Sequence, residues 1–179
     1  MSSIVLSGDT SGTVTVAVPA VAGTNTVTIA AQTGTLNAAG PAFSAYSATT
    51  QTGVTQGTST KVALNTKVFD TATCFNTTNY RFTPTVAGYY QFNGNVNAAG
   101  TSLSYAIAIL SVNGTSTAYG NFTGTGASEQ TSSVSAVIYL NGTTDYLELF
   151  FFGLTAAGTI EIRTSALSTR LSGCLIRGA

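Results

Sequence analysis

Apolar and polar residues alternate with a period of two along most of the chain, and this alternation is typical of half-buried β-strands. The first runs are short: one ends at Pro19, whose missing N–H cannot join a β-ladder, and a second follows it. The apolar positions of these two runs are Val14, Val16, Val18, Val27 and Ile29. No segment has apolar residues at helical spacing over the length of a helix, so the pattern predicts an all-β protein.

Longer alternating runs begin at Pro41. We predict strands at Phe43–Ser47, Lys61–Phe69, Tyr80–Thr83, Tyr89–Asn97, Ser104–Val112, Ser133–Leu140, Tyr146–Phe152, Thr159–Ser165 and Leu171–Arg177. Asn113-Gly114 and Asn141-Gly142 predict hairpins, because both central residues of a type I′ turn need positive φ. Ala99-Gly100 and Ala157-Gly158 predict further turns. The expected fold is a sandwich of roughly eight to ten short strands.

The N-terminal runs predict a separate arm. Two short strands cannot enclose a hydrophobic core, so their apolar side chains must pair with sister subunits or with a larger scaffold. A small, polar stretch from 32 to 40 is typical of a linker. We therefore predict an anchoring or oligomerisation arm in residues 1–38 and a globular domain in residues 41–179.

Two of the predicted strands, Ser104–Val112 and Tyr146–Phe152, are apolar on both faces. A monomeric sandwich needs only one apolar face for each strand, and monomers rarely expose a large apolar patch. The second faces are therefore expected to contact sister subunits; the alternative is that the arm or long loops of the same chain cover them. The candidate interface residues are Phe43, Tyr105, Ile107, Ile109, Phe150 and Phe152.

Charge is scarce in this chain of 179 residues and 18.1 kDa. Six basic and six acidic residues amount to 7% of the sequence and give a net charge of zero, against about 25% charged residues in an average soluble domain. This composition lacks the basic surface that nucleic acid or an anionic membrane would attract, so neither is an expected partner. A neutral surface is also weakly protected from association, which favours a protein committed to neighbouring subunits over a hydroxyl-coated monomer.

The chain contains no histidine, which removes the commonest general base and the commonest metal ligand. Its six carboxylates form no paired or calcium-loop spacing, so we expect neither an enzyme nor a cofactor. Cys74 and Cys174 lie one hundred positions apart, and the expectation is two buried free thiols, with a disulfide as the alternative. The first residues have no signal-peptide pattern, which predicts a protein made in the cytoplasm.

Several motifs follow one another in a fixed order from Pro41 to Arg177. They are an early Phe43-Ser44, a Phe82 shortly before Pro84, the strand Gly88-Tyr89-Tyr90-Gln91-Phe92, the segment Thr144-Asp145-Tyr146-Leu147-Glu148-Leu149, and a closing Leu171-Ser172-Gly173-Cys174-Leu175. Together these motifs resemble the globular head of C1q-like proteins. In the closing motif, leucine and cysteine replace two family aromatics. The resemblance implies a ten-strand C1q/TNF-like jelly roll that assembles as a tight trimer, which fits the two-faced strands. The family's calcium ligands have no counterpart, and no collagen-like stalk is present.

The opening segment, from Ser2 to Leu36, is similar to the start of many structural proteins of tailed bacterial viruses. The two resemblances together imply a trimeric virion protein whose arm attaches to a major capsid protein or a tail protein. Capsid decoration is the leading interpretation, because the short arm leaves no room for a fibre shaft. The first alternative is a tail- or head-fibre tip that binds a host receptor through a long loop; the second is a bacterial adhesion module. The candidate ligand residues of that loop are Tyr119, Phe122 and Glu129.

Overall fold

The structure is a computed structural model, and it describes residues 3–7, 13–17, 40–120, 126–164 and 166–179. The chain divides into two compact units, Met1–Gly34 and Thr35–Ala179. In the first unit, β1 (Ser3–Ser7) and β2 (Thr13–Ala17) form an antiparallel pair. Of the predicted arm residues, Val14 and Val16 lie in β2, and Val18, Val27 and Ile29 lie outside the described residues.

The second unit consists of β-strands joined by turns and loops, which confirms the predicted all-β class. Its strands are β3 (Ala42–Tyr46), β4 (Gln51–Val54), β5 (Thr60–Lys61), β6 (Thr66–Asp70), β7 (Phe75–Asn76), β8 (Arg81–Phe82), β9 (Gly88–Val112), β10 (Thr115–Tyr119), β11 (Ala127–Leu140), β12 (Leu147–Ile162) and β13 (Arg170–Gly178). The described part of the chain has no helix with the length and apolarity to cross a membrane.

The long strand β9 organises the fold by serving two sheets in turn. Its first half pairs with β13 and β11, and β3 and β6 continue outward from β13; we call this set the front sheet. Its second half pairs with β10 and β12, and β4, β5 and β8 continue from β12; this set is the back sheet. A Cβ added at Gly94 of the front sheet would approach Leu149 and Leu110 of the back sheet, so the two sheets pack face to face.

The predicted turn at Ala99-Gly100 is wrong, because β9 continues through it. The strand bends there to pass from the front sheet to the back sheet, with Ser102 at φ 58° and with register shifts against both β11 and β12. Ala157-Gly158 likewise lies inside β12, at an irregularity. Lys61–Phe69 is instead divided between β5 and β6. For β9, the cause is that one continuous strand can contribute to both sheets if it bends.

One predicted hairpin is confirmed and the other is wrong. Asn113 and Gly114 have φ values of 53° and 79° and join β9 to its neighbour β10, as a type I′ turn requires. Asn141-Gly142 instead joins β11 of the front sheet to β12 of the back sheet, and these strands do not pair. There the Asn141 side chain accepts hydrogen bonds from the backbone N–H groups of Thr143, Thr144 and Asp145. The same residue type thus caps a crossover between the sheets.

The core between the sheets contains a cluster of aromatic rings. Phe43 of the front sheet stacks on Phe82 of the back sheet with ring centroids 4.4 Å apart, and on Phe75 at 5.1 Å. Phe92 and Tyr90 complete the cluster with tilted or edge-on contacts to Phe82. Tyr90 is buried, yet its hydroxyl donates to the carbonyl oxygen of Val86 at 2.6 Å, which removes the cost of burying an unpaired polar group. These contacts fix the two sheets against each other and so position both outer faces.

Candidate functional site

The outer surface of the front sheet, which we call the front face, carries a group of exposed apolar side chains. Tyr89 of β9 and Tyr139 of β11 lie directly opposite each other, with ring centroids 5.5 Å apart in an edge-to-face contact. They are 48% and 46% exposed, and Val137, two residues before Tyr139, is 55% exposed. These side chains point outward because their neighbours Tyr90 and Ile138 face the core. The front face is therefore an unpaired apolar surface in a single chain.

Next to this apolar group the front face becomes polar. The Gln91 side-chain amide donates to the hydroxyl of Ser135 at 2.8 Å, and that hydroxyl donates to the Asn93 side-chain oxygen at 2.9 Å. Cys174 of β13 pairs in register with Gln91, so its exposed thiol lies on the same face. The expectation of two buried thiols is thus wrong for Cys174 and holds for Cys74; both are free. The front face combines apolar side chains with amides, hydroxyls, one thiol and the arginines Arg170 and Arg177 of β13.

The outer surface of the back sheet, the back face, holds most of the predicted interface residues. Tyr105, Ile107 and Ile109 of β9 point outward together with Phe150 and Phe152 of β12. Tyr105 is 36% exposed, but Ile109 is only 2% exposed, because Tyr119 and Phe150 lie opposite it on the two neighbouring strands. The same domain therefore covers part of the apolar area that the sequence assigned to an interface. Contact of these residues with a sister subunit stays a prediction.

Phe43 differs from the other interface candidates. It is fully buried and stacks between other core rings, so it is a core residue and not a surface residue. The reason is strand parity: Phe43 and Ala45 of β3 both face the core, whereas Ser44 between them faces the other side. A substitution there would act on the fold of one chain before it acted on assembly.

Two of the three predicted ligand-loop residues lie in strands. Tyr119 ends β10, Glu129 lies in β11, and Phe122 lies outside the described residues. Tyr119 pairs with Ile109 on the back face, whereas Glu129 pairs with Ala99 at the bend of β9. The structure does not bring Tyr119 and Glu129 together in register, since they pair with opposite ends of the second half of β9.

Tyr119 instead borders a small depression on the back face, which we call the back groove. Its volume is about 310 Å³, and its lining residues are Ser59, Tyr105, Ile107, Ile109, Tyr119 and Phe152. Tyr105 and Phe152 meet edge to face with ring centroids 5.8 Å apart. From the sequence, Tyr105, Ile107, Ile109 and Phe152 were expected in an interface and Tyr119 in a separate loop. The pairing of β10 with β9, which brings Tyr119 beside Ile109, cannot be inferred from the sequence pattern.

Sequence reasoning also missed the front-face residues. The signal was present, since Val137 and Tyr139 interrupt the otherwise polar face of β11, where Ser133 and Ser135 precede them. Tyr89 gives the same signal beside the polar Gln91. No group of three or more His, Cys, Asp or Glu side chains suited to a metal ion occurs within the described residues.

Comparisons with known proteins agree with this architecture. The sequence model of the C1q domain matches residues 42–175. The globular domain of the zebrafish complement 1qA protein is similar in structure, with a TM-score of 0.53 and 19% identity over 79% of this chain and all of that domain. Murine APRIL has a TM-score of 0.59 with 10% identity, covering 77% of this chain and all of that one. Eiger TNF from S. frugiperda has a TM-score of 0.57 with 11% identity, covering 78% and 94%. A search of curated proteins found no match.

Proposed function

Because the chain belongs to the C1q domain family, we propose that it forms a homotrimer through its front face and serves as a structural protein of a bacteriophage virion. Domains of the C1q/TNF type are non-enzymatic binding and structural modules, and they are typically trimeric. Within the virion the proposed role is capsid decoration, with the N-terminal arm as the anchor. The proposed trimer interface is the front face, whereas most of the interface residues expected from the sequence lie on the back face.

The main support for a trimer is the group of exposed apolar side chains formed by Tyr89, Val137 and Tyr139. All three lie on adjacent strands, so a sister subunit can cover them as one patch. Burial of apolar surface contributes about 25 cal/mol per Å², and three such patches in a trimer would contribute many times the thermal energy. The neighbouring amides and hydroxyls give a polar rim, to which Arg170 and Arg177 of β13 add positive charge, and a polar rim around an apolar centre is typical of protein interfaces.

Sedimentation equilibrium tests whether the protein is a trimer, and two variants test which face forms the interface. The wild-type mass should be three times 18.1 kDa. Val137→Glu places a carboxylate in the proposed interface and should give monomers, because a buried charge without a partner is strongly unfavourable. Leu154→Glu is the matched control on the back face, where the apolar side chain is 38% exposed, and it should remain trimeric. The reverse result would return the interface to the back face, and a monomeric wild type would overturn the trimer.

The decoration role is supported by the arm. Met1–Gly34 is a compact unit separate from the C1q-type domain, and its strands β1 and β2 pair with each other. A two-stranded pair is marginally stable by itself, so an arm of this kind gains stability when it docks on another surface. Its resemblance to the openings of tailed-phage structural proteins supports a capsid as that surface. The near absence of charge suits a protein whose contacts are fixed in a shell.

Deletion of residues 1–38 tests the anchor. The truncated protein should stay folded and trimeric, because the domain has its own core, but it should no longer bind particles. Normal decoration of capsids by the truncated protein would contradict the anchoring role. Particles that lack the whole protein should burst at a lower temperature, since a decoration protein adds contacts between shell subunits, while adsorption to cells stays normal. Robust particles that fail to adsorb would instead favour a receptor-binding tip.

A further inference from the structure

The back groove has the chemistry of a binding site that the trimer and its anchor do not need. We propose that it binds one sugar unit of a neutral carbohydrate. This inference goes beyond the structural role proposed above and does not depend on it, because the groove lies on the back face and the proposed trimer interface lies on the front face.

The groove is formed by strand pairing and is therefore held in place by the sheet. Ile107 and Ile109 of β9 form its floor, with Phe152 of β12 opposite Ile107 and Tyr119 of β10 opposite Ile109. Tyr105 and Phe152 stand edge to face at one side. A volume of about 310 Å³ lies at the small end of ligand pockets, which span about 300–1,000 Å³. The site suits a single ring-sized ligand.

Three of the residues that line the groove carry hydroxyl groups. Tyr105, Tyr119 and Ser59 line the groove, and within the described residues their hydroxyl groups have no hydrogen-bond partner. The loop that carries Ser59 is fixed beside β12, because Gly57 donates its N–H to the carbonyl oxygen of Gly153 at 2.9 Å. The groove thus offers hydrogen-bonding groups at its rim in positions set by the fold.

The lining also decides the charge of the ligand. None of the residues that line the groove is charged, although Lys61 lies opposite Phe150 on a neighbouring strand. An anionic or cationic ligand would lose hydration here without gaining a counter-charge, which is unfavourable. A purely apolar ligand would form no hydrogen bond with the hydroxyl groups of the lining. A sugar ring has an apolar C–H face for the aromatic side chains and hydroxyl groups for the rim, so a neutral sugar fits both parts.

Methyl NMR on the full-length protein tests the proposal directly, because the groove floor has two isoleucines. The probes are glucose, galactose, mannose and N-acetylglucosamine, with glucuronate as the charged counterpart of glucose and cyclohexanol as an apolar ring of similar size. At least one neutral sugar should shift the methyl signals of Ile107 and Ile109. The signals of Ile138 and Ile162, which are buried elsewhere in the core, should not move.

Two substitutions at Tyr119 separate the ring from the hydroxyl. Tyr119→Ala should weaken sugar binding by roughly two- to tenfold, because it removes a stacking surface. Tyr119→Phe keeps the ring but loses the hydroxyl, so its affinity for the sugar should lie between those of the wild type and the alanine variant. The matched control is Val68→Ala. The Val68 side chain is 61% exposed, close to the 63% of Tyr119, but it lies in β6 of the front sheet. The Val68→Ala variant should therefore bind sugar as tightly as the wild type does.

Three outcomes would overturn the proposal. They are the absence of any shift with all four neutral sugars, a response to cyclohexanol without a response to a sugar, and unchanged binding in Tyr119→Ala. The second outcome would assign the groove to an apolar partner. All variants are checked by sedimentation, so failure of sugar binding in an intact trimer leaves the proposed trimer and its anchor untouched. Loss of the trimer in the Val137→Glu variant would equally leave the groove testable in the monomer.

Discussion

Arg81 donates from its Nε to the Oε1 of Glu148 at 2.6 Å, and 67 positions of sequence separate the two residues. Lys61 reaches the same oxygen from β5, also at 2.6 Å. Glu148 is 2% exposed, whereas its two cationic partners are each about one-third exposed. The Arg81 guanidinium also lies over the ring of Tyr146, 3.9 Å from its centroid. In a chain with only twelve charged residues, this cluster ties β5 and β8 to β12.

Replacement of Glu148 by glutamine should lower the free energy of unfolding by about 2 kcal/mol, because it removes the charge that both cations bind. The loss of stability stays moderate because the partly exposed Arg81 and Lys61 side chains can bind water in place of the carboxylate. Urea unfolding at constant protein concentration measures it. Glu161→Gln is the matched control, because Glu161 and Arg163 are 3.8 Å apart and more than 40% exposed; its effect should be below about 1 kcal/mol. Equal effects of the two substitutions would contradict the stabilising role of the buried carboxylate.

Asp70 should make the domain sensitive to acid. Burial raises the pKa of its carboxyl, but hydrogen bonds from the N–H groups of Phe75 and Cys74 and from the ammonium group of Lys67 outweigh burial and hold the pKa below its ordinary value of 3.8. A lowered folded-state pKa stabilises the protein above pH 3.8, and this stabilisation is lost as the pH falls through the folded-state pKa. Asp70→Asn should therefore be less stable than the wild type at pH 7.

Unfolding experiments from pH 7 down to below pH 3.8 check this linkage. The stability difference between wild type and Asp70→Asn should be largest at neutral pH and should shrink in acid, where the wild-type carboxyl becomes protonated. A difference that is constant with pH would assign the effect to shape and not to ionisation.

Two glycines with similar backbone angles should respond differently to alanine. Gly142 (φ 71°) lies in the crossover after Asn141, and an added Cβ would come within 2.3 Å of the Ala87 nitrogen. Gly158 (φ 75°) has nothing within 4 Å of that position. Gly158→Ala should therefore cost only the backbone strain of about 1 kcal/mol, whereas Gly142→Ala should cost about 3 kcal/mol from strain and overpacking. Thermal unfolding compares the stability of the two variants. Equal losses of stability would mean that the chain near Ala87 moves aside to accommodate the added methyl group.

The thiols report whether the front face is covered. Cys174 is exposed in a single chain and lies in register with Gln91, which pairs with Val137; Cys74 is buried. A soluble thiol reagent should react slowly with the wild-type trimer and rapidly with one thiol of each chain in Val137→Glu. Cys174→Ser in the same background should remove the rapid reaction. Rapid labelling of an intact wild-type trimer would mean that this part of the front face stays open.

The sequence by itself determined the fold class and the family. In the predicted strand Tyr89–Asn97, the core side chains Tyr90, Phe92 and Val96 alternate with polar residues, so only one set of side chains is left for the core. The turn Asn113-Gly114 needs a backbone that few residues adopt, so local chemistry was sufficient there as well. The motifs from Phe43 to Leu175 then indicated a C1q-type domain, which matches over residues 42–175.

Only the tertiary structure decided which apolar faces are exposed. Ile109 and Val137 are both apolar residues on outward-facing strand positions, but cross-strand neighbours bury Ile109 and leave Val137 open. Strand pairing likewise joined Tyr119 to Tyr105 and Phe152 in one groove and separated it from Glu129. Periodicity describes one strand at a time, whereas exposure depends on which strands lie side by side, and this is set by contacts between residues far apart in the sequence.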